Sequence, residues 1–278
     1  MTIEYSAVPR IAPPTARLAG KGVPGGLRLR QLRPVILPLA TAALVLLVWQ
    51  ITVGALRIPT VILPPPSEIG HELWRALPTL LYHAVPTTLD SLTAFFAASG
   101  LGVGLAVAIT YSPFLRDMLY PNLVLFQLIP KVALAPLFVV WLGIGSESRV
   151  AFAAFVSFFP VVISAAVGFA NAETSALRLC RSLTASEWQS FAMVRFPFAL
   201  PAIFSGMKIA MTMAVIGVII GEFISAQAGL GFYILYVSSR METALIFAAL
   251  LVLCVIGMAL FGAVALAEQL VRRSYGRR

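Results

Sequence analysis

The chain has 278 residues, 60% of them hydrophobic and 11% charged, with a formal net charge of +9. A mean hydropathy of +0.94 and uncharged runs of about 20 residues point to a polytopic membrane protein, not a soluble nucleic-acid binder. A β-barrel is disfavoured, because its strands would alternate in short segments. With only Cys180, Cys254, His71 and His83 available, neither a disulfide framework nor a metal cluster is expected.

In chain order, residues 1–33 are rich in Pro, Gly and Arg without apolar periodicity, and read as a disordered basic tail. A signal peptide fits poorly, since the tail is too long and the next run, Val35–Leu56, has the length of a span. The small residues of "VGALR" leave cleavage there as the alternative. Further spans are expected over Thr88–Tyr111, Met118–Gly143, Val150–Phe169, Ala202–Ile224 and Ala244–Leu266. The third is interrupted by Pro130, Lys131 and Pro136, which needs neighbouring protein or water to satisfy the freed backbone. The expected fold is therefore all-α and integral to the membrane, with six transmembrane helices over residues 34–270 and a basic end at 271–278. No soluble domain fits, because the longest loop between spans, Arg57–Val85, is short.

Lys and Arg fix an orientation. Fifteen fall on one side: Arg10, Arg17, Lys21, Arg28, Arg30, Arg33, Arg116, Arg178, Arg181, Arg195, Lys208, Arg272, Arg273, Arg277 and Arg278. Four fall on the other: Arg57, Arg75, Arg149 and Arg240. This bias puts both termini and the 171–201 loop in the cytoplasm. Within the spans, Gly100/Gly104 and Gly217/Gly221 have the spacing of close helix contacts, which serve a dimer or gating surface or else ordinary intrachain packing.

The loop "SLTASEWQSFAMVRFPFALPAIFSG", Ser182–Gly206, lies between two apolar spans. Ala176–Leu183 can form two helical turns. Thr184 or Ser186 can cap a second helix, with Glu187 or Gln189 completing a capping box. Phe196, Phe198, Pro197 and Pro201 are expected to end that helix and return the chain to the membrane. Exposed Leu177, Leu183, Trp188 and Phe191 would suit a groove on a partner, or a headgroup layer anchored by Trp188.

This segment resembles the cytoplasmic loop of binding-protein-dependent ABC importer permeases. The family pattern is Glu-Ala-Ala, three residues, Gly, nine residues, Ile, one residue, Leu-Pro. Arg178, Leu179 and Cys180, then Thr184, then Val194, Phe196 and Pro197 occupy those positions, and "FALPAIFSGMKIA" is close to the family. The first half departs, with Thr184 where the family places a glycine that tolerates the turn. "ILPPPSEI" (Ile62–Ile69), "PKVALAPLFVVWLGIG" (Pro130–Gly145) and "GEFISAQAGLGFYI" (Gly221–Ile234) resemble the branch importing nitrate, sulfonates, taurine and thiamine precursors. The likeness runs over roughly Ile36–Leu270. It implies a type I importer fold, a permease homodimer, two cytoplasmic ATPases and an extracytoplasmic solute-binding protein. It also makes the loop the coupling helix, with Arg178, Leu179, Cys180, Leu183, Thr184, Ser186, Glu187, Trp188, Phe191 and Pro197 meeting the ATPase. The chain has no GxxxxGK[ST] phosphate loop. It is expected to bind no cofactor, with ATP and Mg used by the partner.

Intramembrane charges mark function by default. Lys131 lies on the order of 20 Å into the third span, counted along a helix. It either draws an anion into the pathway or pairs with Glu147 or Glu222. Glu222 is either part of an outer gate or an interfacial carboxylate. Gln127 and Ser157 either line the route or bond a backbone carbonyl. Lys208 is expected to snorkel to headgroups and Asp90 to be solvated or capping. Trp49, Trp74 and Trp141 fit an aromatic belt.

The function expected is a non-catalytic permease subunit of an ATP-driven importer. Its solute is a pyrimidine- or flavin-type vitamin precursor, or a nitrate, sulfonate or taurine-type anion. The alternative is a self-sufficient carrier driven by an ion gradient, although no internal repeat is apparent. A membrane enzyme would need clustered His, Asp, Ser or Cys at one depth, which the sequence does not offer.

Overall fold

A computed structural model describes residues 26–275, with side chains described over 36–274. Two compact units divide at Trp49/Gln50. The first ends within α1 (Gly26–Ala55), whose apolar stretch Ile36–Ala55 is long enough to cross a membrane. This helix begins at Gly26, inside the stretch whose composition predicted a disordered tail through residue 33. The earlier part of that tail, with Arg10, Arg17 and Lys21, lies outside the described residues, as do Arg277 and Arg278.

In the second unit helices are the only regular elements among its described residues. Gln50 starts it by bonding Ser67 twice, side chain to hydroxyl and to backbone N–H, both at 3.1 Å. Ser67 opens α2 (Pro66–Arg75), which begins with proline where the missing N–H costs nothing. The next helix, α3 (Leu77–Tyr111), starts eleven residues before the expected Thr88. Proline at its first turn is favourable, and the helix continues through Pro86 inside it. His83, expected in a loop, therefore lies on α3.

The third span is broken rather than continuous. It consists of α4 (Pro113–Gln127), a single 3₁₀ turn (Lys131–Leu134) and α5 (Ala135–Leu142), with a bend of 96°. Pro130 at the break has no N–H to continue the ladder. Among the described residues five helices thus have spanning length and apolarity, and a sixth crossing exists when the bent pair counts as one.

Beyond it run α6 (Ser146–Ala170), the elbow helices α7 (Thr174–Ser182) and α8 (Glu187–Ser190), and a π-helical segment (Phe191–Arg195). This leads without interruption into α9 (Phe196–Ser225). Pro197 and Pro201 therefore do not end a helix as expected. The π segment widens the turn, with the Phe196 N–H bonding Phe191 O, which accommodates the proline ring next to it. The unit closes with α10 (Leu230–Ser239) and α11 (Thr243–Tyr275).

The antiparallel seam between α6 and α9 organises the core. A Cβ on Gly217 would lie 2.7 Å from Ala153 Cα, and one on Gly206 2.9 Å from the Pro160 carbonyl oxygen. Gly168 sits equally close to Ala199 and Ala202, and Gly221 to Arg149. Such small residues let the backbones approach where lipid offers no hydrophobic drive. The main apolar cluster, including Ala94, Ala153, Val161, Ala210, Ala214 and Val218, joins α3, α6, α9 and α11. The Gly217/Gly221 pair is thus intrachain packing. Gly100 and Gly104 have open space where a Cβ would stand, and it is Gly102 between them that meets Val161. Replacing Gly217 by Val should lower stability by about 1–3 kcal/mol, read by thermal unfolding in detergent, whereas Gly104→Ala should leave the melting temperature unchanged.

Candidate functional site

The elbow takes its shape from local chemistry. α7 ends in a Schellman arrangement, in which the Ala185 N–H bonds Cys180 O at 3.0 Å and the Thr184 N–H bonds Arg181 O at 3.1 Å. Thr184 consequently adopts φ 54°, the left-handed region that glycine occupies most easily. A β-branched residue thus makes the turn for which the related pattern uses glycine. Ser186 then caps α8: its hydroxyl accepts from Gln189 N at 3.2 Å, while the Gln189 side chain accepts from Ser186 N at 2.8 Å.

Of the residues expected on the apex, Leu179 (59%), Leu183 (69%) and Trp188 (73%) are exposed. Arg178, Ser186 and Glu187 are exposed as well, while Leu177, Cys180 and Pro197 are partly covered. Phe191 corrects the expectation. It is 8% exposed and packs among Ala106, Ala165, Phe169 and Ile203, with rings of Phe169 and Tyr111 at 5.5 and 5.8 Å. The next helix packs against α3 and α6, so Phe191 turns inward and roots the elbow in the bundle. Trp188 stacks on it from outside at 5.7 Å.

At the opposite end of the unit, Glu222 is buried, 1% exposed. Its carboxylate accepts from Thr87 Oγ1 at 2.7 Å and from Gly231 N at 2.6 Å. Thr87 Oγ1 accepts from Leu230 N at 2.9 Å, and His83 Nδ1 from Gly229 N at 3.2 Å. Three successive N–H groups at the start of α10 are therefore satisfied by two side chains of α3 and one of α9. These are donors that a helix start otherwise leaves orphaned. Gly229, at φ 120°, has no Cβ to collide with the Glu222 carboxylate.

Asp90 is neither solvated nor capping. Its carboxylate is paired with Arg149 at 2.9 Å and accepts from Ser146 Oγ at 2.5 Å, with both charged residues 8% exposed. A bare carboxylate at this depth would be too costly, so the partner comes from α6. Lys208 pairs with Glu268 at 2.9 Å. Ser157 bonds the Ala153 carbonyl at 2.7 Å. Trp74 and Trp141 are exposed.

Lys131 pairs with neither Glu147 nor Glu222; its ammonium lies 5.2 Å from the centre of the Phe159 ring. With Gln127, Phe152, Val156 and Met213 it lines a cavity of about 350 Å³ between the broken span, α6 and α9, in which it is the single charged residue. Two of the three residues expected at a pathway are thereby brought together. Glu222 is not among them.

Residues 100–273 match the family described as binding-protein-dependent transport system inner membrane component. The chain belongs to this family. A probable ABC transporter permease protein of Haemophilus influenzae is 31% identical, over 84% of this chain and 94% of that protein. A riboflavin transport system permease protein of Chloroflexus aurantiacus is 32% identical, over 84% of this chain and 88% of that one. The solved structure of an amino acid ABC transporter with histidines superimposes with a TM-score of 0.56 at 14% identity, over 73% of this chain and 97% of that chain. The fold is that of type I ABC importer permeases, and the function is that of an importer permease subunit. Both relatives are named as transport permeases, which agrees with the importer reading and not with the ion-driven carrier.

In this permease the sequence reading missed the Asp90–Arg149 pair and the His83–Thr87–Glu222 clasp. Asp90 within an apolar run was the available signal, since a buried acid demands a partner. Removing one partner of the pair, as in Arg149→Ala, should cost about 3–5 kcal/mol, with an apolar double replacement of Asp90 and Arg149 recovering most of it in thermal unfolding. For the clasp, Glu222→Ala should destabilise by about 1–3 kcal/mol, while Glu222→Gln, which keeps an acceptor for Gly231 N, should lose less by the same measurement.

Proposed function

We propose that two copies of this chain form a translocation pathway driven by two cytoplasmic ATPases and fed by an extracytoplasmic solute-binding protein. The ATPases bind ATP and Mg, and this subunit catalyses no reaction. Both termini and the elbow face the cytoplasm, in accord with the Lys and Arg bias, and the basic tail of residues 1–33 lies there too.

The observation that carries the docking role is the apex of the elbow. Leu179, Leu183 and Trp188 project from a helix pair held by a Schellman turn, a capping box and buried Phe191. A rigid apolar knob flanked by Arg178 and Glu187 suits a groove on a protein partner. Thr184, Ser186 and Cys180 set its shape rather than its contacts. Since α8 continues into α9, displacement of the knob is transmitted along one helix into the bundle.

For the solute, the largely aliphatic cavity with Lys131, Gln127 and the single ring of Phe152 suits a small molecule that is flat or anionic. A flavin- or pyrimidine-type vitamin precursor is the first reading, supported by the likeness to the riboflavin permease. A nitrate, sulfonate or taurine-type anion is the second, favoured by Lys131 as the cavity's lone charge.

In proteoliposomes, uptake should require the ATPase, ATP and the binding protein together; uptake by the lone chain under an ion gradient would overturn the proposal. Leu183→Ala combined with Trp188→Ala should release the ATPase on co-purification while the permease still elutes as a single species. Undiminished ATPase recovery would refute the docking role.

A further inference from the structure

A second cavity, of about 500 Å³, lies at the elbow end between the last turns of α3 and α6, the first turns of α4 and the π-helical segment. Its polar lining comprises Thr110, Arg116, Tyr120, Asn171 and Arg195, and no carboxylate lines it. Among the described residues neither arginine forms an ion pair. Arg195 lies over the Tyr111 ring, 5.7 Å from its centre, and its Nε is buried without a hydrogen-bond partner. The neighbouring Glu187 meets this region through its backbone carbonyl, which accepts from the Tyr111 hydroxyl at 3.5 Å. The Thr110 hydroxyl is directed to Ala106 O at 2.7 Å.

Two guanidinium groups lining one cavity without a carboxylate between them leave a positive field that an anion would neutralise. Two guanidinium groups from separate elements call for an anion with oxygens on several sides. A carboxylate offers two oxygens, which a single arginine fork can occupy, whereas a phosphate can engage both arginines at once. The volume exceeds that of a bare phosphate and falls in the range of small-molecule sites.

We propose that this cavity binds a phosphate ester, whose anionic oxygens bridge Arg116 of α4 and Arg195 of the π-helical segment. The site is distinct from the Lys131 cavity and stands independently of the solute. Bound there, the ester links the first half of the broken span to the root of the elbow. π-helical turns are frequently found at such functional points. Two sources carry this chemistry: the headgroup of an anionic phospholipid, or a soluble phosphorylated small molecule.

The test uses the full chain, purified in detergent and stripped of lipid. Phosphatidylglycerol and phosphatidylcholine are offered in native mass spectrometry, and adenosine monophosphate and inorganic phosphate in isothermal titration calorimetry. Arg116→Gln and Arg195→Gln are compared with Arg181→Gln, an exposed elbow arginine outside the cavity. At least one phosphate-bearing probe should bind the parent chain and the Arg181 variant alike, and bind either cavity variant about tenfold more weakly or worse. Selective retention of phosphatidylglycerol identifies a lipid source; selective binding of adenosine monophosphate or phosphate identifies a soluble one. Arg116 is exposed, so its variant reports even where Arg195→Gln fails to fold. Binding that ignores both arginines, or no binding of any probe to the parent chain, overturns the proposal.

Discussion

The close approach of α6 and α9 is the constraint on which the remaining structure depends. In hydrocarbon, apolar side chains gain nothing by leaving lipid for protein, so association rests on dispersion at short range and on polar pairs. Gly168 on α6 and Gly206, Gly217 and Gly221 on α9 permit that range, because each faces backbone or a short side chain with no room for a Cβ. Once this seam is set, Arg149 on α6 and Glu222 on α9 are delivered to the same end of the unit. There α3 supplies their complements, Asp90 and Thr87.

The two ends are secured by different physics. At the end bearing Glu222, charge and hydrogen bonding dominate: an ion pair ties α3 to α6, and the clasp fixes the first turn of α10. At the elbow end, aromatic packing dominates, with Phe191 set among Phe169, Tyr111 and Phe196. Between them the broken span leaves space that side chains do not fill, and the Lys131 cavity opens there. Irregular backbone of this kind at a broken span is tolerated where it is packed in protein or lines a cavity.

The elbow also shows how a departure from a family pattern can leave geometry intact. Thr184 stands in the left-handed region, a conformation that costs a β-branched residue on the order of 1–2 kcal/mol. The Schellman bonds on either side and the capping box that follows hold it there. The requirement at that position is the turn, and enough surrounding bonds can impose it on a residue other than glycine.

The existence of the apolar spans, the break at Pro130 and the Ser186 capping box were legible in the sequence. Each depends on residues within a few positions of one another, or on the thickness of hydrocarbon. The apolar runs could show that α3, α6 and α9 exist, but not how each is rotated about its axis. That rotation decides the partners of every intramembrane charge, and Asp90 and Arg149 are 59 residues apart, Thr87 and Glu222 135. It also turned Phe191 from a surface residue into a core one, through a π-helical segment that the prolines did not announce. Local chemistry was written in the chain; which faces meet was settled only when the glycines of α6 and α9 let those two helices approach each other.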